Sequence, residues 1–352
     1  MLKKIFAALA VIVIFCAGAP AVLAHSTEVT GYYDDSVYDR LSSSIRKKIN
    51  KLDDDKVKKL PVPVLFGVKL ADITANFGDP RSGGRSHEGL DIMATKGTPI
   101  VSPTKAVVLE AGEWEGAGYY VSTVNPGGEN FIYMHLAEPS ELDRGDWLDE
   151  GDLVGFAGNT GNAAATAPHL HLEIRQEGEA TDPYSRLKRE FSLEEKMDYA
   201  EIILSEADNE GELASLLVNN FAGDFLAAQA QDIDLPASIT KKLTKTAKQG
   251  AELVDSGLAV GSYGDEVLAL QKFLIVQNKG PAAASLAAHG ATSYYGPLTL
   301  SAVNEYRQIA GTATPTKLTD AQIKAKIAQI QVLIADLQQQ LMEMQLKTKT
   351  TA

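Results

Sequence analysis

Pro168-His-Leu-His-Leu-Glu-Ile174 alternates polar and apolar side chains without a break, and upstream of it Arg85-Ser-His-Glu-Gly-Leu-Asp-Ile92 sets a histidine and an acid four residues apart. In an extended strand successive side chains point to opposite faces. His169, His171 and Glu173 therefore share one face, while Leu170, Leu172 and Ile174 turn into a core. Working outward, Tyr133-Met-His135-Leu136 brings the histidines between positions 87 and 171 to four of the six in the chain. Such a concentration reads as a hydrolytic zinc site. Catalytic zinc takes three nitrogen or oxygen ligands and keeps a fourth position for water. His87, Asp91 and His171 fit the ligand role. Zinc lowers the pKa of a bound water to about 7, and imidazoles near it can take a proton from water, pass one to a leaving amine or hydrogen-bond an oxyanion. His135 and His169 suit those tasks. Glu173 continues the alternation and reads as a solvated strand carboxylate, with orientation of a ligand imidazole as the alternative. There is no His-Glu-x-x-His segment, so a glutamate base of the kind that motif supplies has no candidate.

The flanking words occur in a characteristic order: Gly97-Thr-Pro-Ile-Val101, Gly118-Tyr-Tyr-Val121, Gly151-Asp-Leu-Val-Gly155 and Gly158-Asn-Thr-Gly161, between the two stretches quoted above. With them, residues 64 to 186 resemble the lysostaphin/LytM-type zinc metallopeptidases that cut peptidoglycan cross-links. Position by position, the resemblance implies that His87, Asp91 and His171 hold Zn2+ and that His135 and His169 are the non-ligand histidines at the reacting centre. It also implies antiparallel sheets forming a groove, with the metal at the floor and variable loops as walls. A resemblance of this kind leaves the bond open, because loops set the choice of substrate.

Met1-Leu-Lys-Lys4, the apolar run from Ile5 to Ala17 and the small-residue end Ala21-Val-Leu-Ala24 have the three regions of a secretory signal peptide, residues 1–24. The expected address is outside the cytoplasm: cell envelope, periplasm or extracellular medium. An uncleaved anchor is the alternative, although the run is shorter than the roughly 20 residues of a membrane span. Cys16, the only cysteine, lies inside it. It follows Phe15 rather than a small residue, which argues against lipid modification, and its removal leaves no thiol for a disulfide or a cysteine-type metal site. The formal charge of −13 excludes nucleic acid as an expected partner.

The fold class expected is multidomain. Residues 25–60 form an N-terminal helical segment with Leu41, Ile45, Ile49 and Leu52 on one stripe, reading as a short helix packed on the next domain. Residues 61–187, with short β-rich runs split by glycine and proline, form an all-β antiparallel-sheet domain. Residues 188–256 are an all-α connector opened by the capping box Ser192-Leu-Glu-Glu195. Residues 257–311 resemble a small helical peptidoglycan-binding module. Val267, Leu270 and Leu274 fall on one helical face, and Thr299, Val303 and Tyr306 on another, all read as core. The usual glutamine after the last aromatic is Arg307 here, and an alanine-rich insertion spans 278 to 292. Any sugar or peptide contact is expected on loops such as Tyr294-Tyr295-Gly296. His289 and His25 lie outside the cluster and carry no catalytic expectation.

Residues 312–352 carry a coiled-coil-like helix and tail. Ile323, Ile327, Ile330, Ile334, Leu337, Leu341 and Met344 repeat at alternating steps of four and three. That seam asks for a partner, either a second copy in a homo-oligomer or another helix of the same chain. The functional expectation is an exported zinc endopeptidase whose substrate and partner is peptidoglycan. Two rivals are a non-catalytic wall-binding scaffold or activator on the same fold, and a zinc peptidase acting on exported proteins.

Overall fold

The computed structural model describes residues 35–309. The segments read as signal peptide and as heptad helix lie outside the described residues, as does His25. The chain divides into two compact units: one runs to Val64 and continues from Val68 to Glu190, and the other takes Leu65–Gly67 together with the chain from Phe191 on.

The first unit opens with two short helices, α1 (Asp35–Arg40) and α2 (Ser43–Ile49). Eleven strands follow: β1 (Leu60–Pro61), β2 (Leu90–Met93), β3 (Pro99–Val101), β4 (Ala106–Trp114), β5 (Gly118–Asn125), β6 (Glu129–Leu136), β7 (Trp147–Leu148), β8 (Leu153–Phe156), β9 (His169–Gln176), β10 (Glu179–Thr181) and β11 (Leu187–Arg189). The main antiparallel sheet has the order β10-β9-β6-β5-β4-β7, and β2 pairs with β9. A second pair, β3 with β8, is also antiparallel, whereas β1 and β11 run parallel. One apolar face of these strands closes on the largest core of the unit, which includes Leu90, Ile92, Val121, Phe131, Tyr133, Leu170, Leu172 and Ile174.

The stripe Leu41, Ile45, Ile49 and Leu52 packs on Val107, Leu109 and Val124 of β4 and β5. Only Ile45 and Ile49 lie in a helix: Leu41 falls in the break between α1 and α2 and Leu52 beyond it, because Ser42 caps α2 with its own hydroxyl, which accepts from Ile45 N. Such side-chain oxygens compete with the helical ladder and favour a fresh start.

In the second unit the described helices are α3 (Leu193–Glu206), α4 (Glu210–Gln229), α5 (Ala237–Val254), α6 (Asp265–Gln277), α7 (Pro281–His289) and α8 (Pro297–Ile309). The capping box at Ser192 and Glu195 is formed in both directions. Phe66 lies against the rings of Phe221 and Phe225, at 5.6 and 5.3 Å between centroids. Val267, Leu270, Leu274 and Val303 are buried in one core to which Val254 of α5 also belongs, with Tyr306 packed against it. The alanine-rich insertion is itself helical, with Pro281 at the first helical position. Tyr295 and Gly296, expected at a contact loop, are buried. Tyr295 belongs to the core, and Gln271 holds the loop beside it by donating to Tyr294 O at 2.7 Å and to Thr299 Oγ1 at 2.9 Å. No helix among the described residues is long and apolar enough to cross a membrane.

Candidate metal centre

β9 carries the centre. On one edge β2 pairs with it, setting Asp91 opposite His171 and Met93 opposite His169; on the other, β6 sets Met134 opposite His171. Cross-strand partners project from the same face, so Asp91 and His171 meet without help from any loop. His87 reaches them from just before β2. The result is three donor atoms in a triangle: His87 Nε2 is 3.0 Å from Asp91 Oδ1 and 3.0 Å from His171 Nδ1, and the last two are 2.8 Å apart.

The remaining ring nitrogens fix which atoms face the triangle. His87 Nδ1 lies 2.7 Å from Asn76 O, which can only accept, so the proton sits there and Nε2 offers its lone pair. Asn76 also takes the Asp91 backbone N–H on its side-chain oxygen at 3.1 Å. His171 Nε2 donates to Glu173 Oε1 at 3.2 Å, which leaves Nδ1 for the triangle. Two imidazole lone pairs and a carboxylate oxygen this close repel unless a cation or a proton lies among them. A tetrahedral zinc with bonds of about 2.0–2.1 Å spaces its ligands by about 3.3 Å, a few tenths more than found. The donor set therefore fits such an ion, and among the described residues it is the one group of three or more His, Asp or Glu side chains arranged to hold a metal.

Electrostatics agree with that fit. Burial alone raises the Asp91 carboxyl, but the hydrogen bond from His171, the charges of His171 and His87 and the hydrogen bond from Arg81 hold it well below the usual carboxylate range. For His171, burial lowers the imidazole while Asp91 and Glu173 more than reverse this and raise it to about 9. A place that holds a proton so firmly is a place of negative potential.

His135 enters by a different route. It follows Met134, which already pairs with His171, so simple alternation turns its side chain to the opposite face. Between Tyr119/Val121 and Tyr133/Leu136 the β5–β6 register gains one residue on β6, and His135 takes a left-handed φ of 62°. This bulge re-aims the ring, bringing its centroid to 5.1 Å from His169 and 5.8 Å from His171. Its Nδ1 donates to Thr160 O at 2.9 Å, and that of His169 donates to Ala167 O at 2.8 Å. With Nδ1 so engaged, a neutral ring at either position leaves Nε2 as its lone-pair nitrogen. Burial, followed by the charges of His171 and His169, lowers His135 to about 4, so it is neutral at pH 7. Thr160 is held where Gly118 and Gly161 interlock: a Cβ on Gly161, at φ +67°, would stand 2.2 Å from Gly118 N.

The histidine-bearing strands and the glycine frame fall within residues 85–183, which match Peptidase family M23. These residues form a Peptidase family M23 domain. Over 100 residues the chain is 35% identical to an uncharacterized metalloprotease of Haemophilus influenzae, covering 28% of this chain and 20% of that protein. Over 101 residues it is 34% identical to the DD-carboxypeptidase/endopeptidase Mpg of Neisseria meningitidis serogroup B, with coverages of 29% and 23%. Lysostaphin of Staphylococcus simulans is 34% identical over 93 residues, with coverages of 26% and 18%. The chain spans about a fifth of the length of these curated relatives.

Within the M23 domain, one expectation is corrected. Glu173 is not a solvated strand carboxylate: it is 6% exposed. Besides His171 it accepts from Arg175 Nε at 2.7 Å, and Arg175 in turn pairs with Glu88. The reason is the second edge of β9, where β6 covers the strand and leaves Glu173 opposite Ile132. Sequence reasoning also missed Asn76, Thr160 and Arg81, the last pairing Nη2 with Asp91 Oδ2 at 2.7 Å. Only the single Glu173-Ile-Arg175 after His171 offered a signal for any of this.

Proposed function

We propose that this chain is an exported zinc endopeptidase that hydrolyses peptide cross-links of peptidoglycan. The observation that carries the reading is the triangle of His87 Nε2, Asp91 Oδ1 and His171 Nδ1 within 3.0 Å, flanked by two imidazoles with free Nε2 atoms. The three ligands would hold Zn2+, which when bound supplies a hydroxide nucleophile near neutral pH and polarises the scissile carbonyl. His135 and His169 are the catalytic residues of this reading. Each keeps its Nδ1 proton on a backbone carbonyl, so Nε2 is free to accept a proton from the attacking water and return it to the leaving amine. Glu173 holds the His171 ring, and Arg175 holds Glu173. Peptidoglycan as the substrate is supported by the likeness to lysostaphin and to a DD-carboxypeptidase/endopeptidase. Residues 257–311 would act as a wall-binding module, raising the local concentration of substrate without touching the scissile bond.

The test combines zinc content of the purified protein with mass analysis of fragments released from isolated sacculi. The reading requires a bound zinc and new amino termini in the peptide bridges. Sacculi left intact by zinc-loaded protein would reject it in favour of a non-catalytic wall-binding scaffold.

A further inference from the structure

Arg81 and Arg85 bracket a tight loop at the rim of the metal triangle. The loop is tied at its base by Gly78 N to His87 O at 2.8 Å, His87 N to Asp79 O at 2.9 Å and Arg81 N to Arg85 O at 2.9 Å, with a Pro80–Ser86 bridge between. Its tip is Gly83-Gly84, both at φ near 75°. A loop so short and so tied sets Arg85 opposite Arg81 across its base, two residues before His87. Arg81 spends one donor, Nη2, on Asp91 Oδ2 at 2.7 Å, and its side chain is 41% exposed. Arg85 uses Nε on Ser82 O at 3.4 Å and is exposed.

A guanidinium has five donors in a planar fork that matches a carboxylate. Holding Asp91 requires one of them. In a chain of net charge −13 an anionic peptide is repelled over most of the surface, so Arg81 on the triangle and Arg85 facing it across the loop, both with donors to spare, stand out chemically. We infer that Arg81 and Arg85 form an anchor for a carboxylate of the substrate peptide, making this a peptidase for carboxylate-bearing stems rather than for amidated or glycine-only bridges. The inference rests on the peptidase reading given above. The loop places the carboxylate by charge-assisted hydrogen bonds and so acts on binding, while His135 and His169 act on the reaction. Arg81 additionally orients Asp91; Arg85 touches no ligand and reports on the anchor alone.

The experiment uses the full, zinc-loaded chain with two probes: a cross-linked muropeptide dimer with free carboxylates, and the same dimer with those carboxylates amidated. Turnover and calorimetric binding are measured in parallel. The expected result is a preference for the free-carboxylate dimer of at least about tenfold in kcat/KM, expressed in KM, as charge-assisted bonds of this kind supply. Arg85→Gln and Arg81→Gln each shrink that ratio toward one, and Arg81→Lys retains part of it. Equal kcat/KM and equal binding for the two dimers in the wild-type protein overturns the anchor. A ratio unchanged in Arg85→Gln and Arg81→Gln does the same. Should neither dimer be cut, the peptidase reading fails, and the ratio of binding constants still decides the anchor.

Discussion

Glu173→Gln isolates the contribution of a residue that touches neither the expected ion nor the substrate. Both carboxylate oxygens are in use: Oε1 accepts from His171 Nε2 at 3.2 Å and Oε2 from Arg175 Nε at 2.7 Å. Glutamine keeps the shape but has one accepting oxygen, so an N–H of the amide must face either His171 or Arg175. One buried donor then lacks a partner, which costs about 1–3 kcal/mol of stability. The His171 ring also loses the carboxylate that fixes its tautomer. Partners of this kind typically change metal affinity by about 10–100-fold, equivalent to about 1.4–2.7 kcal/mol. Since a ligand stabilises the folded state by RT ln(1 + [L]/Kd), the gap in unfolding free energy between zinc-saturated and chelator-treated protein should narrow by that same amount. Urea unfolding with and without zinc, together with competition against a chromophoric chelator, measures both quantities on one sample. A variant whose zinc affinity stays within twofold of wild type would refute the argument that Glu173 acts through His171.

Three further outcomes follow from the geometry. His169→Ala should abolish cleavage of sacculi while leaving most zinc bound, and His171→Ala should lose both; equal zinc loss in the two would reverse the assignment of the pair, as read by metal analysis. Gly161→Ala forces a side chain onto φ +67° and into Gly118 N, so it should destabilise by about 1–3 kcal/mol and lower turnover by moving Thr160 away from His135, with zinc content unchanged. Gln271→Leu in the helical unit strips the partners from Thr292 N, Ser293 N and Tyr294 O, so chemical denaturation should report a loss of about 2–5 kcal/mol with the metal site intact.

The parts of the site that obey simple alternation were legible. His169, Leu170, His171 and Leu172 separate by face because the strand period is two, and Asp91 joins them through an ordinary antiparallel pair. His135 could be named as a member of the cluster, but its route into it could not be read, because a bulge between β5 and β6 leaves no mark on residue type. Glu173 was misjudged because exposure of a strand edge depends on which strand covers it, and the β6–β9 pairing is set by partners distant in the chain. The apolar stripe from Leu41 to Leu52 was legible as a buried face, whereas the break that leaves Leu41 outside the helix lies in the local competition of Ser42. Tyr295 looked like a loop aromatic because the turn signal Gly296-Pro297 follows it directly. The hydrogen bonds of a buried glutamine, Gln271, are what fold that loop inward.

β9 is flanked on both edges, by β2 and β10 on one side and β6 on the other. Its backbone amides around Leu170 and Leu172 should therefore exchange with deuterium only when the whole sheet opens. His169 and His171 thus ride on a strand held along both edges, while the segments at 79–86 and 159–166 lie outside the strands. If the chain is the peptidase proposed above, residues along that rim could be exchanged one by one without disturbing the strand on which the two histidines sit.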